Sequence, residues 1–319
     1  GFDHEFFSNN CALEFNAEEA FYYDEDGKSV KFGKWEPDGQ TDQALAFLDR
    51  YAGKEPFALF VSWHPPHNWA RGYAAPPGCE KLYDPAKIRF RPNCPAGGSR
   101  SDYRGYMALC SNLDDNLGRL LKKLDEKGVG DNTLVVYTSD HGDILGSHGI
   151  RDWHKCRPEA VSCRVPLIMR LPGTLAPRVS DMLAGTLDLM PTLLSLLKLT
   201  PPKTCQGSDF AGALVAGKDR ATESVPMFFW GCASDWRGVY TRRYTYSFEP
   251  PGATKGINVL FDRQEDPHEL KNLFASPDHR KLRDELHALT KKWMAKFNDR
   301  HVPWNVVKNS IYVNPAAAR

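Results

Sequence analysis

The chain has 319 residues, 41% of them hydrophobic and 25% charged, the balance of one large or two smaller globular domains. Lys and Arg total 41 against 40 for Asp and Glu, so no broad field draws the chain to nucleic acid or anionic membrane, and any anion site is local. No apolar run reaches the roughly 18 residues a membrane span needs, and eight cysteines without a CxxC pair argue against a disulfide scaffold and a thiolate zinc site.

Residues 1–40 are polar and aromatic with weak periodicity and read as a surface-wrapping segment; no Met opens it and no signal pattern is visible, so the expectation is a processed, trimmed or incomplete chain. Asp42 to Tyr51 has helical spacing behind an acidic first turn. Pro56 to Trp63 is a near-continuous apolar run that predicts a strand buried on both faces. It stops at His64-Pro65-Pro66-His67, where proline lacks the ladder donor. Residues 70–100, rich in Pro, Gly and Arg, read as a long loop.

Ser101 to Gly128 predicts a long amphipathic helix with a stripe of Tyr106, Leu109, Leu113, Leu117, Leu120, Leu121 and Leu124. Thr133–Thr138 and Val165–Leu171 read as buried strands, and Asp188–Leu199 as a helix with Pro191 near its start. This order predicts an α/β core with helices covering a mostly parallel sheet. Past residue 220, Met227–Trp230, Gly238–Phe248 and Ile257–Phe261 predict short strands, closed by a helix over Arg283–Phe297. The predicted division is 1–215 for the α/β core and 216–319 for a small antiparallel sheet-plus-helix subdomain.

Sites in open α/β sheets form beyond strand ends, and two ends here are polar. Asp140-His141-Gly142 offers a carboxylate and an imidazole that can reach one divalent cation; the structural alternative is a turn in which Asp140 caps the next segment. His64 and His67 are held by two prolines and can donate to an anionic ester, or be satisfied by local hydrogen bonds. His154-Lys155-Cys156-Arg157 adds a compact cation with three donors, or is a solvated basic loop. Together they supply charge stabilisation for hydrolysis of an anionic ester. They include no nucleophile, and two groups are few for a hard cation that takes about six ligands.

Thr138-Ser139-Asp140-His141-Gly142-Asp143-Ile144-Leu145-Gly146-Ser147-His148-Gly149 is similar to the second signature region of type I, formylglycine-dependent sulfatases of the alkaline phosphatase superfamily. Lys155-Cys156-Arg157-Pro158 followed by Arg164-Val165-Pro166-Leu167 resembles the family's lysine loop and the strand after it. Pro56 through His67 resembles the strand delivering a substrate-binding His, and Leu260-Phe261-Asp262, Asp266-Pro267 and Asn272-Leu273 resemble a C-terminal family segment.

The resemblance implies an alkaline phosphatase-like α/β fold with a small antiparallel subdomain. It implies Asp140 and His141 as metal ligands, Lys155 as the residue that contacts both the sulfate and the leaving oxygen, and His67 as a sulfate-binding residue. His148 lies in the motif as a further substrate-binding candidate. The implied cation is calcium, with magnesium or manganese also suited to the oxygen ligand. The implied substrate is a small-molecule or saccharide sulfate ester. Oligomeric state and compartment stay open.

The family's Asp-Asp metal pair and Cys/Ser-x-Pro-x-Arg nucleophile motif have no counterpart in the sequence. Cys156-Arg157-Pro158-Glu159-Ala160 imitates the second with Ala160 where Arg is required, and Gly33-Lys34-Trp35-Glu36 imitates a Lys-Trp-His element without its His. Gly1-Phe2-Asp3 resembles a tripeptide that follows the family's catalytic segment. The expectation is a sulfatase whose formylglycine lies in a segment not included in this chain. The alternatives are a phosphodiester or phosphonate hydrolase of the same superfamily and a non-catalytic anion-binding descendant.

Overall fold

The computed structural model describes residues 16, 18–24, 26–68, 72–76, 78–95, 98–150, 155–231, 235–253 and 256–300. The expectations for Gly1-Phe2-Asp3, for His154 and for the last fifteen residues lie outside these. The chain divides into two compact units, 1–91 with 96–133, and 92–95 with 134–319. The sequence-based division after residue 215 therefore lies within the second unit.

In the first unit, β1 (Phe21–Tyr23) and β2 (Ser29–Lys31) form a small antiparallel hairpin that the weak periodicity of the segment did not signal. Helix α1 (Glu36–Tyr51) starts six residues before the expected Asp42. Glu36, Pro37 and Asp38 explain this, because proline and acidic side chains both suit a first turn. Helix α2 (Arg100–Glu126) is capped by Ser99, whose hydroxyl accepts from the Asp102 amide at 3.1 Å.

Leu109, Leu113 and Leu124 of the predicted stripe are buried, whereas Tyr106, Leu117, Leu120 and Leu121 are only half-buried. Asn112 and Asn116 are buried beside them, and both donate to Asp38 Oδ1 of α1, at 2.9 and 2.7 Å. The α1–α2 contact thus includes a polar seam that hydrophobic spacing cannot reveal, made tolerable because its donors find a side-chain acceptor.

The expected strand at 56–63 is not formed. The segment has no regular structure and is alternately exposed and half-buried, with Phe60 77% exposed. An apolar strand is buried only when neighbours pair and cover it, and among the described residues it joins no ladder.

In the second unit, β3 (Val135–Thr138) pairs with β4 (Leu167–Arg170), and the pairing is antiparallel, with Val135 opposite Arg170. The described sheets are all antiparallel, so the expected mostly parallel sheet is not observed. Nor are β3 and β4 buried on both faces, since Leu167 and Ile168 are exposed. An apolar run alone does not say which strand lies beside it or in which direction. Between them sits α3 (Ala160–Cys163), a single turn.

Helix α4 (Thr186–Leu196) begins before Asp188, placing Pro191 inside it rather than near its start. Asp188 accepts from the Gly185 amide at 2.8 Å and fixes that earlier start. A short helix α5 (Ala211–Val215) follows.

The C-terminal sheet runs in sequence order as β5 (Val225–Trp230), β6 (Asp235–Tyr240), β7 (Tyr244–Phe248) and β8 (Val259–Asp262). The single run expected at 238–248 is two strands, because the backbone turns at 241–243, where Thr241 Oγ1 accepts from the amides of Arg243 and Tyr244. Helix α6 (Arg280–Lys296) lays Leu286 and Met294 on Val239, Tyr246, Phe248 and Leu260 of the sheet. No helix among the described residues is long and apolar enough to cross a membrane.

Candidate active site

Strand β3 ends at Thr138, and the chain turns immediately through Ser139, Asp140, His141 and Gly142. The Asp140 carboxylate accepts from the His141 amide at 2.9 Å through Oδ1, and the Ser139 hydroxyl donates to the His141 carbonyl at 2.7 Å. The His141 ring has Nδ1 2.8 Å from the Gly142 carbonyl. A carbonyl only accepts, so Nδ1 carries the proton and Nε2 presents its lone pair. Asp140 Oδ2 lies 3.4 Å from that Nε2. A carboxylate oxygen and an imidazole nitrogen at this separation can share one cation. The Asp140 side chain is 81% exposed, which leaves the oxygen accessible.

Lys155 Nζ lies 3.0 Å from His141 Nε2 and donates to it. The structure therefore brings Asp140, His141 and Lys155 into one cluster, fifteen residues of sequence apart, all in the second unit. The lysine and a cation would compete for the same lone pair, so holding the cation requires Lys155 to turn toward an anion instead. Among the described residues no group of three or more His, Cys, Asp and Glu converges as a metal site. The donors fit a divalent cation in kind, as one face of a coordination shell.

Gly142 is where it is because nothing larger fits. A Cβ there would meet the Val161 carbonyl oxygen at 2.1 Å. The Gly142 amide donates to the Ser162 carbonyl at 2.7 Å, so the turn after β3 and the helical turn α3 are bonded directly.

His148 sits in a tight loop in which Leu145, Gly146, His148 and Gly149 all have positive φ. Its amide donates to the Asn93 carbonyl at 2.7 Å, and its Nε2 lies 3.3 Å from Asn93 Nδ2, which also donates to the His268 carbonyl at 3.1 Å. An amide nitrogen only donates, so Nε2 accepts and the ring proton is on Nδ1. Burial holds the His148 pKa below its ordinary value, with Arg157 acting in the same direction against Glu159 and Asp266. This ring is neutral and anchored, which suits a single fixed donor. Asn93 gave no signal in the sequence, since nothing about a loop asparagine marks it as buried.

In the first unit, His64 Nδ1 lies 2.6 Å from Glu36 Oε1, and Glu36 is fully buried. The His67 ring bonds through Nδ1 to the Asn68 carbonyl, and its amide donates to the His64 carbonyl at 3.2 Å. The same reasoning puts the proton of His67 on Nδ1. Glu36 belongs to the Gly33-Lys34-Trp35-Glu36 stretch, whose likeness to a family element carried no role. In the structure it holds a histidine, though not by replacing the missing one.

The segment following Lys155 is held by charged groups that the sequence reading passed over. Arg157 pairs with buried Glu159. Buried Glu269 accepts from the Ala160 amide at 2.7 Å and from Thr245 Oγ1 at 2.6 Å. Burial raises the Glu269 pKa. Burial, with Glu159 and Glu269 nearby, pushes the Cys163 thiol up to about 12, so this cysteine is an inert thiol and no nucleophile.

The sulfatase family model matches residues 1–199, and that for the C-terminal region of N-sulphoglucosamine sulphohydrolase matches 146–296. The chain is 31% identical to an ulvan-active sulfatase of Formosa agariphila over 87% of its own length and 56% of the relative's. It is 30% identical to an endo-4-O-sulfatase of Bacteroides thetaiotaomicron, over 79% of this chain and 55% of that one. Among solved structures, the yidJ protein of Bacteroides fragilis superposes with a TM-score of 0.79 at 31% identity, covering 88% of this chain and 63% of that chain.

The fold is thus that of the alkaline phosphatase superfamily, as the resemblance implied, although the described strands do not form the expected parallel sheet. Within that superfamily the chain belongs to the type I sulfatases. It spans about half the length of the curated relatives it matches.

Proposed function

We propose that Asp140, His141 and Lys155 are the charge-stabilising part of a site that hydrolyses a sulfate monoester. The observation that carries this reading is the 3.0 Å approach of Lys155 Nζ to a His141 ring whose Nδ1 proton is committed to Gly142. That arrangement sets a lone pair, a carboxylate oxygen and an ammonium group around one point. Asp140 Oδ2 and His141 Nε2 would hold a divalent cation, calcium being the family's usual choice, whose chemistry there is Lewis-acid polarisation of a sulfate oxygen.

The chain's own groups do the rest. Lys155, released from His141, donates to a sulfate oxygen and to the leaving oxygen, neutralising charge as the ester bond breaks. His67, in the first unit, keeps its Nδ1 proton on the Asn68 carbonyl; the family resemblance alone gives it a sulfate-binding role. His148, anchored through Nε2, would offer its Nδ1 proton. The nucleophile belongs, in this proposal, to a formylglycine outside these residues.

The substrate class proposed is a sulfated saccharide. Its support is that relatives include an ulvan-active sulfatase, an endo-4-O-sulfatase and an N-acetylglucosamine-6-O-sulfatase, beside a choline-sulfatase. A phosphonate monoester hydrolase of Agrobacterium radiobacter, at 20% identity and a TM-score of 0.61, shares the fold alone and does not carry the phosphonate reading. The test is sulfate release by the full-length protein from sulfated saccharides, beside phosphate and phosphonate esters, with and without chelator. Chelator-sensitive sulfate release is expected; faster turnover of the phosphorus esters overturns the reading.

A further inference from the structure

We propose that Trp236 is a positioning residue for Lys155, acting through its indole N–H on the Cys156 carbonyl. The inference rests on the reading of Lys155 given above. Lysine has four rotatable side-chain bonds, so its ammonium can be held at a defined point only if the backbone beneath it is fixed. The residue directly after it is Cys156, whose φ is +75°. A non-glycine residue is strained in left-handed backbone, and such a conformation persists where surrounding contacts impose it.

A contact that holds this conformation is that of Trp236 Nε1, which donates to the Cys156 carbonyl at 3.0 Å. Trp236 is itself closely packed. It lies in β6, is 3% exposed, and stacks on Phe229 at 6.0 Å between centroids with planes 19° apart. Four residues further on, Glu269 fastens the Ala160 amide, and the Gly142–Ser162 bond ties the end of the segment to the turn that carries His141. The stretch 156–162 is therefore strung between the C-terminal sheet and the candidate ligands, and Trp236 holds the end nearest the lysine. Removing its N–H releases Cys156 toward negative φ and swings the start of the lysine side chain.

The test uses the full-length protein and a sulfated saccharide that it turns over. Trp236→Phe keeps a packed ring and deletes the donor. The expected result is a fall in kcat of roughly tenfold, the worth of one buried hydrogen bond, with KM changed less than twofold. Cys156→Gly added to Trp236→Phe is expected to restore most of the loss, because glycine takes positive φ without strain.

A merely structural tryptophan would lower the melting temperature and give no recovery with glycine, and that result overturns the proposal. So does unchanged kcat in Trp236→Phe when Lys155→Ala is inactive. Near-normal turnover by Lys155→Ala instead overturns the underlying reading of the lysine, and the proposal with it.

Discussion

The amide of Gly142 donates to the carbonyl of Ser162 at 2.7 Å, and through that bond the two stretches bearing the candidate ligands and the candidate cation are one mechanical piece. Because a Cβ at 142 would lie 2.1 Å from the Val161 oxygen, Gly142→Ala must separate them. The expected outcome is a loss of about 1–3 kcal/mol, the range for overpacking, read as a lowered urea midpoint. Sulfate-ester turnover by the full-length protein is expected to drop with it; full activity in Gly142→Ala would show that the two segments need not touch.

Asp140→Asn and Lys155→Ala each remove one charge from the cluster. In the full-length protein each is expected to cut kcat by at least about 100-fold, the cost of deleting one preorganised charge stabiliser. Asp140→Asn should in addition raise the divalent-cation concentration needed for half-maximal activity, whereas Lys155→Ala should not. Equal cation dependence in the two variants would remove the division of roles.

His148 gives a pH signature of the fold. Its pKa lies below the ordinary 6.5, chiefly because it is buried. Above about 6.5, near the unfolded value, folded and unfolded states are both neutral and the stabilisation is fully present. As pH falls through 6.5 and on through the folded value, the unfolded chain takes up a proton that folded His148 resists, and stability is lost. His287, also lowered by burial, contributes with the same sign. Thermal melts between pH 7.5 and 5 should show a declining midpoint, and His148→Asn, which tolerates positive φ, should flatten part of that decline. An unchanged slope in His148→Asn would remove His148 from the account.

Glu36 is fully buried at the first turn of α1 with His64 Nδ1 at 2.6 Å. Deleting one partner of a buried hydrogen bond costs about 1–3 kcal/mol, and the His64 side chain is 26% exposed, so solvent takes up part of the loss. Glu36→Ala is expected to destabilise by about 1–2 kcal/mol by urea unfolding. His64→Ala should cost a similar amount, and the double variant less than the sum. Strict additivity would mean that the pair contributes nothing beyond its separate parts.

The sequence by itself determined the family and the local elements that carry chemistry. Asp140-His141-Gly142 at a strand end and a lysine about a dozen residues on are contiguous signals, and the β3 turn, α2, α6, β5 and β8 follow from short-range periodicity and capping within a residue or a few. Only the tertiary structure decided which polar side chains are buried against which. Glu36 on His64, Asn93 on His148, Glu269 on Ala160 and Trp236 on Cys156 join residues from 28 to 109 positions apart. It also decided that β3 and β4 run antiparallel and that 56–63 forms no strand among the described residues. Hydrophobic patterning records how apolar a stretch is, not its neighbour. A buried hydrogen bond between distant residues is satisfied by geometry that exists only after the chain has folded.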